Sequence, residues 1–526
     1  MNFKNLYKYI FAGTMILSVN GCDFLQTEPS NFLAPETFYK NEAECRMALS
    51  GVYFTLVRTQ VYGNVYSCQI ANIDDLSFYA RDANATATKV FGNDHNTSNG
   101  DIFDTWRMLY QGINNANVLL ENIDDASGDE KALMNIKGEA KFLRAYYHFL
   151  LAQGWYDIPV RKESLKDVMA TEAPATPHVE AIDWVISEME ACVDMVDDDL
   201  YDASPSHIKK NTVMGILSRV YLWRAGYPCN GGIEFYKKAA GWANKVKESN
   251  KHNLNPDVYK LWMNMASNNQ DATYNESMWE AEFYGTRTDG NYTDGRIGNV
   301  IGNLQSCTKT DGTGYSYGFY CGSLLLWDLY EEKDMRRDLS MAPYTYNNKD
   351  VKVEWKENQI VDRRCGKYRR EWETTFPKEK NWTPDNYCIL RYADVLLMLA
   401  EAENEGNSAP TPLAYEAINT VRGRAGLDPL AGLDYQSFQA EVRNERAREL
   451  CFESTRRFDL IRWGIYMDRI KNDLYKATQE ERWSTGKNYT GAKIFCERTQ
   501  EKHLFLPIPE RELAVNTKLK QNKYWE

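Results

Sequence analysis

Three times along this chain, a stretch with apolar residues at helical spacing is followed after a short polar turn by a second such stretch. That pairing restricts the fold more than any other feature. The first pair is WRMLYQGINNANVLLENID and IKGEAKFLRAYYHFLLAQGW, within residues 103–155, with the turn SGDE between them. In its second member Ala140, Leu143, Tyr147 and Leu150 or Leu151 recur at the spacing that lines one helix face. The second pair is VEAIDWVISEMEACVDMV (179–196) with KNTVMGILSRVYLWRAG (210–226). The third is YADVLLMLAEAENEG (392–406) with PLAYEAINTVRGRAGL (412–427).

Each pair has roughly the length of a tetratricopeptide unit, and Ala400, Ala402, Ala414 and Ala417 permit close helix approach. The pattern predicts a mainly α fold: tetratricopeptide-like helical hairpins form a scaffold, which carries a loop-rich variable lobe with short strands. Two stretches break the helical pattern, residues 61–100 and about 268–386. They mix turn residues with aromatics (TRTDGNYTDGRIGN, TKTDGTGYSYGFYCG) and include the strand-like SMWEAEFY. Long irregular insertions on a helical body are usually functional.

The N-terminus reads as a secretory leader: Lys4 and Lys8, an apolar run from Tyr9 to Val19, then Gly21 and Cys22. The run reaches about half of the ~20 apolar residues a membrane span needs. Val19, Asn20, Gly21 and Cys22 resemble the lipobox of bacterial lipoproteins, in which the cysteine becomes the lipidated first residue. Loss of residues 1–21 leaves 505, more than the ~250 to 300 at which one core usually stops growing. The expected division is 1–21 leader, 22–60 anchored segment, 61–100 loop insertion, 101–267 helical hairpins, 268–386 ligand lobe and 387–526 C-terminal hairpins and tail.

Lys and Arg number 62 against 74 Asp and Glu, a net charge of −12. That balance argues against nucleic acid and against charge-driven binding to an acidic membrane. Beyond Cys22, ten cysteines are scattered without a C-x-x-C, which predicts mostly buried free thiols. With 34 Tyr and 14 Trp, aromatic content reaches 13%, more than a core needs, and tyrosine suits surfaces that are apolar and hydrogen-bonding at once.

Five separated segments together resemble one family, the SusD/RagB outer-membrane lipoproteins of Bacteroidetes. They are CDFLQTEPSNFLAPETFYKNEAECRMALSGVY, GEAKFLRAYYHFLLAQGWYDIPV, ILRYADVLLMLAEAENEG with AINTVRGRAGL, NERARELCFESTRRFDLIRWG, and HLFLPIPERELAVNTKLKQNKYW. The resemblance implies that Cys22 is the lipid anchor and that the protein is surface-exposed on the outer membrane. It further implies an oligosaccharide ligand, in some members a peptide, and a role as hinged lid on a SusC-like TonB-dependent transporter. A lipid anchor holds firmly because each buried methylene contributes about 0.8 kcal/mol.

Glycan recognition needs flat apolar faces for sugar rings and planar polar groups for hydroxyls. Three loops outside the family-like segments offer that mixture. Tyr79, Arg81, Asp82, Asn84 and Phe91 supply the first, Arg287, Asp289, Asn291 and Tyr292 the second, and Tyr315, Tyr317, Phe319 and Tyr320 the third. Trp106, Trp155, Trp223 and Trp463 fall in helical segments and Trp279 in a strand, so all five read as core; Trp355, Trp372 and Trp382 are left unassigned.

Other chemistries fare worse. GYSYG (314–318) fits the nucleophile-elbow pattern G-x-S-x-G, but a polar turn precedes it where that elbow needs a buried strand. A glycosidase needs two placed carboxylates, and pairs such as Asp74 and Asp75 arise freely among 74 acids. The six histidines show no zinc spacing. Asp289, Asn291, Thr293 and Asp294 approach a calcium loop, but Gly295 falls one position late and position 300 is Val. No cofactor is expected; a structural calcium built from backbone carbonyls would leave no sequence mark. The expectation is a non-enzymatic binder of glycans, with peptide capture, a bare scaffold or a surface glycosidase as alternatives.

Overall fold

In the computed structural model, residues 38–167, 172–199, 204–284, 295–483 and 489–526 are described. Helix α1 (Glu42–Tyr53) packs on the first predicted pair, α2 (Gly100–Asn122) and α3 (Glu130–Trp155). The second pair is α4 (His178–Cys192) with α5 (Lys210–Ala225). Then come α6 (Ile233–Glu248) and α7 (Val258–Ala266); the third pair, α8 (Tyr392–Asn407) with α9 (Pro412–Arg424), follows the lobe. Helices α10 (Tyr435–Leu450) and α11 (Arg456–Arg462) complete the C-terminal block.

Local chemistry starts these helices where the patterns place them. Asn99 and Asp129 accept from the backbone N–H of Ile102 and Ala132, and Thr411 accepts from Ala414 with Pro412 in the first turn. Helix α6 was not among the patterned pairs, yet it joins the two blocks, packing on α5 on one side and α8 on the other. The alanines meant for close approach, Ala400, Ala402, Ala414 and Ala417, are fully buried. Trp106, Trp155, Trp223 and Trp279 are core as expected, whereas Trp463 is half-exposed and donates its indole N–H to Glu401. Nine of the ten described cysteines are buried free thiols, and Cys229 is half-buried.

The NERAREL and STRRFDLIRW segments build an ion network inside the protein. Arg336, from the lobe, reaches Asp334, Glu445 and Glu449 at 2.7, 2.6 and 2.8 Å. Arg391 reaches Glu449 at 2.6 Å and Glu453 at 2.7 Å, Arg424 reaches Glu276 at 2.9 Å, and Lys367 meets Glu453 at 2.6 Å. Burial alone would raise the Glu449 carboxyl, but Arg424, Arg391 and Arg336 hold it well below the usual range. Lobe and scaffold are thus tied through buried charges whose loss is costly.

Short strands position the loops. Strand β1 (Ser77–Tyr79) pairs antiparallel with β5 (Tyr320–Gly322), joining the two loop-rich stretches. Strand β2 (Ser277–Ala281) pairs with β8 (Tyr387–Arg391) beside the helices. A four-stranded sheet runs β4-β3-β6-β7, from Tyr315–Ser316, Gln305–Ser306, Tyr344–Tyr346 and Lys352–Glu354.

Candidate functional site

The segment from Tyr315 to Tyr320 alternates. Tyr315, Tyr317 and Phe319 are half-exposed on one face, while Ser316, Gly318 and Tyr320 point inward. Gly318 makes the turn between the rings possible: its φ is +50°, and a Cβ there would lie 3.0 Å from the Leu304 Cα. The 315–319 backbone is anchored on both sides of each ring. Tyr317 and Phe319 donate N–H to Asn299 and Val300 carbonyls, and the Phe319 carbonyl accepts from Ala80 N–H at 2.6 Å.

That last bond brings the first loop to the third. Phe91 stacks on Tyr79 with ring centres 4.0 Å apart, Tyr79 on Phe319 at 5.1 Å, and Phe319 on Tyr317 at 4.9 Å. Tyr315 meets Tyr317 edge-on at 4.9 Å. Five half-exposed rings from sequence positions more than two hundred residues apart therefore form one continuous aromatic strip.

The strip carries polar groups along its length. Over its central ring, the Arg81 guanidinium lies 4.9 Å from Phe319. At the Tyr315 end, the Lys380 ammonium lies 4.7 Å from the Tyr315 ring centre and 6.0 Å from that of Tyr317, and Asn381 Oδ1 accepts from the Tyr317 hydroxyl at 3.3 Å. Trp382, half-exposed, has the Arg296 guanidinium 5.7 Å above it. Burial raises the Tyr79 phenol, while Arg81 and Arg296 pull against that rise.

Behind the strip stands Arg370, buried to 1% exposure. Its Nε donates to Glu373 at 2.7 Å, Nη1 to the Tyr315 and Glu379 carbonyls at 2.6 and 2.8 Å, and Nη2 to the Trp382 carbonyl at 3.2 Å. Asn299 Nδ2 adds bonds to the Tyr315 and Lys380 carbonyls, and Arg296 Nε binds the Asn381 carbonyl. The 379–382 loop is thereby fastened to β4.

Of the residues named from sequence, Tyr79, Arg81, Phe91, Tyr315 and Tyr317 come together here with Phe319. Asp82 and Asn84 lie exposed on the turn after Arg81, where Asp82 accepts from its own loop at Ala85 N–H. Tyr320 belongs to the core, at 1% exposure, because the alternation turns it under the strip with its ring edge-on to Tyr79 at 5.6 Å. Arg287, Asp289, Asn291, Tyr292 and Cys22 lie outside the described residues. Lys380 and Asn381 were missed and Trp382 left unassigned; the available signal was a tryptophan between polar residues in a loop bounded by Pro377 and Pro384.

The serine of GYSYG is buried and donates its hydroxyl to the Asn299 and Gly302 carbonyls at 3.1 and 3.3 Å, a structural use. Three nearby carboxylates are engaged too: Glu371 accepts from Tyr344 and Gln305, Glu373 pairs with Arg370, and Asp350 accepts from Thr313. Asp75 is paired with Arg456 at 2.8 Å and with Arg469, while Asp74 accepts from Leu76 and Ser77 N–H ahead of β1.

Two family models cover most of the chain: SusD family, over residues 275–525, and "starch-binding associating with outer membrane", over residues 23–222. The chain belongs to the SusD/RagB family. A SusD-like protein of Formosa agariphila is 24% identical over 98% of this chain and 97% of its own length. A SusD homologue from Bacteroides thetaiotaomicron superposes with a TM-score of 0.83 at 27% identity, covering 93% of this chain and 98% of that one. Surface glycan-binding protein A from Bacteroides uniformis shares the fold at a TM-score of 0.68 and 21% identity, covering 92% of this chain and all of that one. The second family description points this SusD-family chain to the outer membrane. Among the described residues no helix is long and apolar enough to cross a membrane.

Proposed function

We propose that this SusD-family protein is a non-enzymatic glycan receptor, held by lipidated Cys22 on the outer face of the outer membrane, which delivers oligosaccharide to a SusC-like TonB-dependent transporter as its lid. The observation that carries the glycan reading is the strip Phe91–Tyr79–Phe319–Tyr317–Tyr315, half-exposed and flanked by guanidinium, ammonium and amide groups. Sugar C–H faces pack on such apolar surface while hydroxyls take the polar contacts. The name of the Bacteroides uniformis neighbour, a surface glycan-binding protein, and the family description as starch-binding support it. The transporter and the anchor rest on the family resemblance and on the Gly21–Cys22 junction.

Peptide capture by strand addition would use a free sheet edge. On this side of the sheet, the Tyr315 carbonyl and the Tyr317 and Phe319 amides already have partners, which favours the glycan. Isothermal titration of residues 23–526 against plant, host and microbial glycans and a peptide digest tests the reading. Saturable binding to a polysaccharide, weakened in Tyr317→Ala and Tyr79→Ala, is expected; binding confined to peptides would overturn it. Co-purification of a transporter with the full-length, membrane-anchored form tests the delivery step.

A further inference from the structure

The strip's cations share one feature. In a chain of net charge −12, Arg81 and Lys380 lie over rings of the strip and Arg296 over Trp382, and among the described residues none of the three has a carboxylate partner. Some other arginines of the lobe are neutralised by close acids, as Arg336 is by three and Arg370 by Glu373, while Arg364 and Arg369, which bond carbonyls and hydroxyls instead, are buried. Here the polar bonds go to neutral groups: Arg81 to the Ala80 carbonyl at 3.0 Å, Arg296 to the Asn381 carbonyl and the Asn299 amide oxygen at 3.2 and 3.0 Å. The Lys380 ammonium rests on the faces of Tyr315 and Tyr317. A ring face holds a cation without cancelling its charge.

Two consequences follow. An incoming anion meets these cations without having to break an ion pair, so the cost that usually offsets such contacts is absent. The charges are also spaced along the strip, Arg81 over the central Phe319 and Lys380 over the terminal Tyr315 two rings away, so an extended chain carrying anions on nearby sugars reaches both. Asp82, the acid adjacent to Arg81, faces its own turn and accepts from Ala85 N–H. Glu371 and Glu373, behind the strip, are consumed by Gln305, Tyr344 and Arg370.

Building on the glycan reading above, we infer that the ligand is an anionic polysaccharide, carrying carboxylate or sulfate groups that Arg81, Lys380 and Arg296 receive while its sugar rings lie along the aromatic strip. Matched pairs that differ in charge test this: polygalacturonate against its methyl ester, and dextran sulfate against dextran, with laminarin and starch as further neutral members. At least one anionic member is expected to bind at least tenfold tighter than its neutral counterpart, and which pair responds separates carboxylate from sulfate. Raising salt from 50 to 500 mM should weaken that binding by about tenfold, since partly exposed charges are screened. Arg81→Gln and Lys380→Gln should each cost about fivefold. Lys131→Gln, at an exposed lysine paired with Asp197, should cost nothing. Both loop residues are accessible enough for the variants to keep their melting temperature, which is measured alongside.

Equal affinity for both members of each pair, or anionic binding indifferent to salt and to both glutamine variants, would overturn the inference while leaving a neutral-glycan receptor. Binding to no glycan of either charge would sink the glycan reading itself.

Discussion

Arg370 separates what holds the lobe together from what shapes the strip, and replacing it with leucine makes the two effects measurable. The substitution leaves the Glu373 carboxylate buried without its cation, and strips donors from the Tyr315, Glu379 and Trp382 carbonyls. Removing one partner of a buried pair costs about 3 to 5 kcal/mol. At an unfolding entropy near 2 cal/mol/K per residue over some five hundred residues, that lowers the melting temperature by roughly 4 °C. Pairing Arg370→Leu with Glu373→Leu should recover most of the loss, because no charge is then stranded. Glycan affinity should not recover. The carbonyls that fasten the 379–382 loop to β4 still lack their donor, with Asn299 alone bridging Tyr315 and Lys380. Calorimetry on both variants gives the stability arm and isothermal titration the affinity arm. If the double variant regains affinity together with stability, or if the single variant melts earlier yet binds as well as the parent, Arg370 does not position the strip.

Phe319→Ala removes the ring shared by both stacks, so affinity for any bound glycan should fall more than tenfold, beyond the effect of Tyr320→Phe, which alters only a buried hydroxyl with no hydrogen-bond partner among the described residues; titration of both variants decides this. The Asp74 carboxyl is raised from 3.8 to about 7 by burial and by adjacent Asp75. Between those values the native state binds a proton that the unfolded chain has released, so stability falls as pH rises, by about 4 kcal/mol in all from this group. Asp74→Asn should therefore gain on the parent by roughly 4 °C between pH 4 and pH 8 in melting scans, and a constant gap would contradict the assignment. Burial also pushes the Cys68, Cys192, Cys229, Cys365 and Cys496 thiols up to about 12. A thiol reagent on the native mature form from residue 23 should react slowly, with the half-buried Cys229 at most, and with ten sulfurs after denaturation; rapid native labelling of several would refute the buried placement.

The helical pairs were legible because their signal is local: one apolar stripe every turn, opened by Asn99, Asp129 or Thr411. Helix α6 was less legible because it buries only Ala239, Ala240, Ala243 and Val246, small side chains that leave a faint stripe beside Lys237, Lys238 and Lys245. In the site, the period-two alternation of Tyr315, Tyr317 and Phe319 could be read, and it also contains the reason Tyr320 turns inward. A residue one step out of phase lies on the other face. What sequence order hides is the partner loop. Lys380, Asn381 and Trp382 stand some sixty residues beyond the strip, and their placement comes from a buried arginine whose role shows only in its carbonyl acceptors.

The mounting of that loop gives the buried charges a consequence for binding. Glu445 and Glu449 on α10 hold Arg336 of the lobe and Arg424 of α9, while Glu449 and Glu453 receive Arg391 at the end of β8, five residues beyond the 379–386 stretch that carries Trp382. A well-packed apolar contact of the same area would tolerate sliding, since its energy depends weakly on direction. Carboxylates engaged by guanidinium groups at 2.6 to 2.8 Å fix direction as well as distance. If the NERAREL charges set the angle at which the lobe presents its strip, an isosteric apolar replacement of Glu449 with its arginines spares stability while lowering glycan affinity in titration.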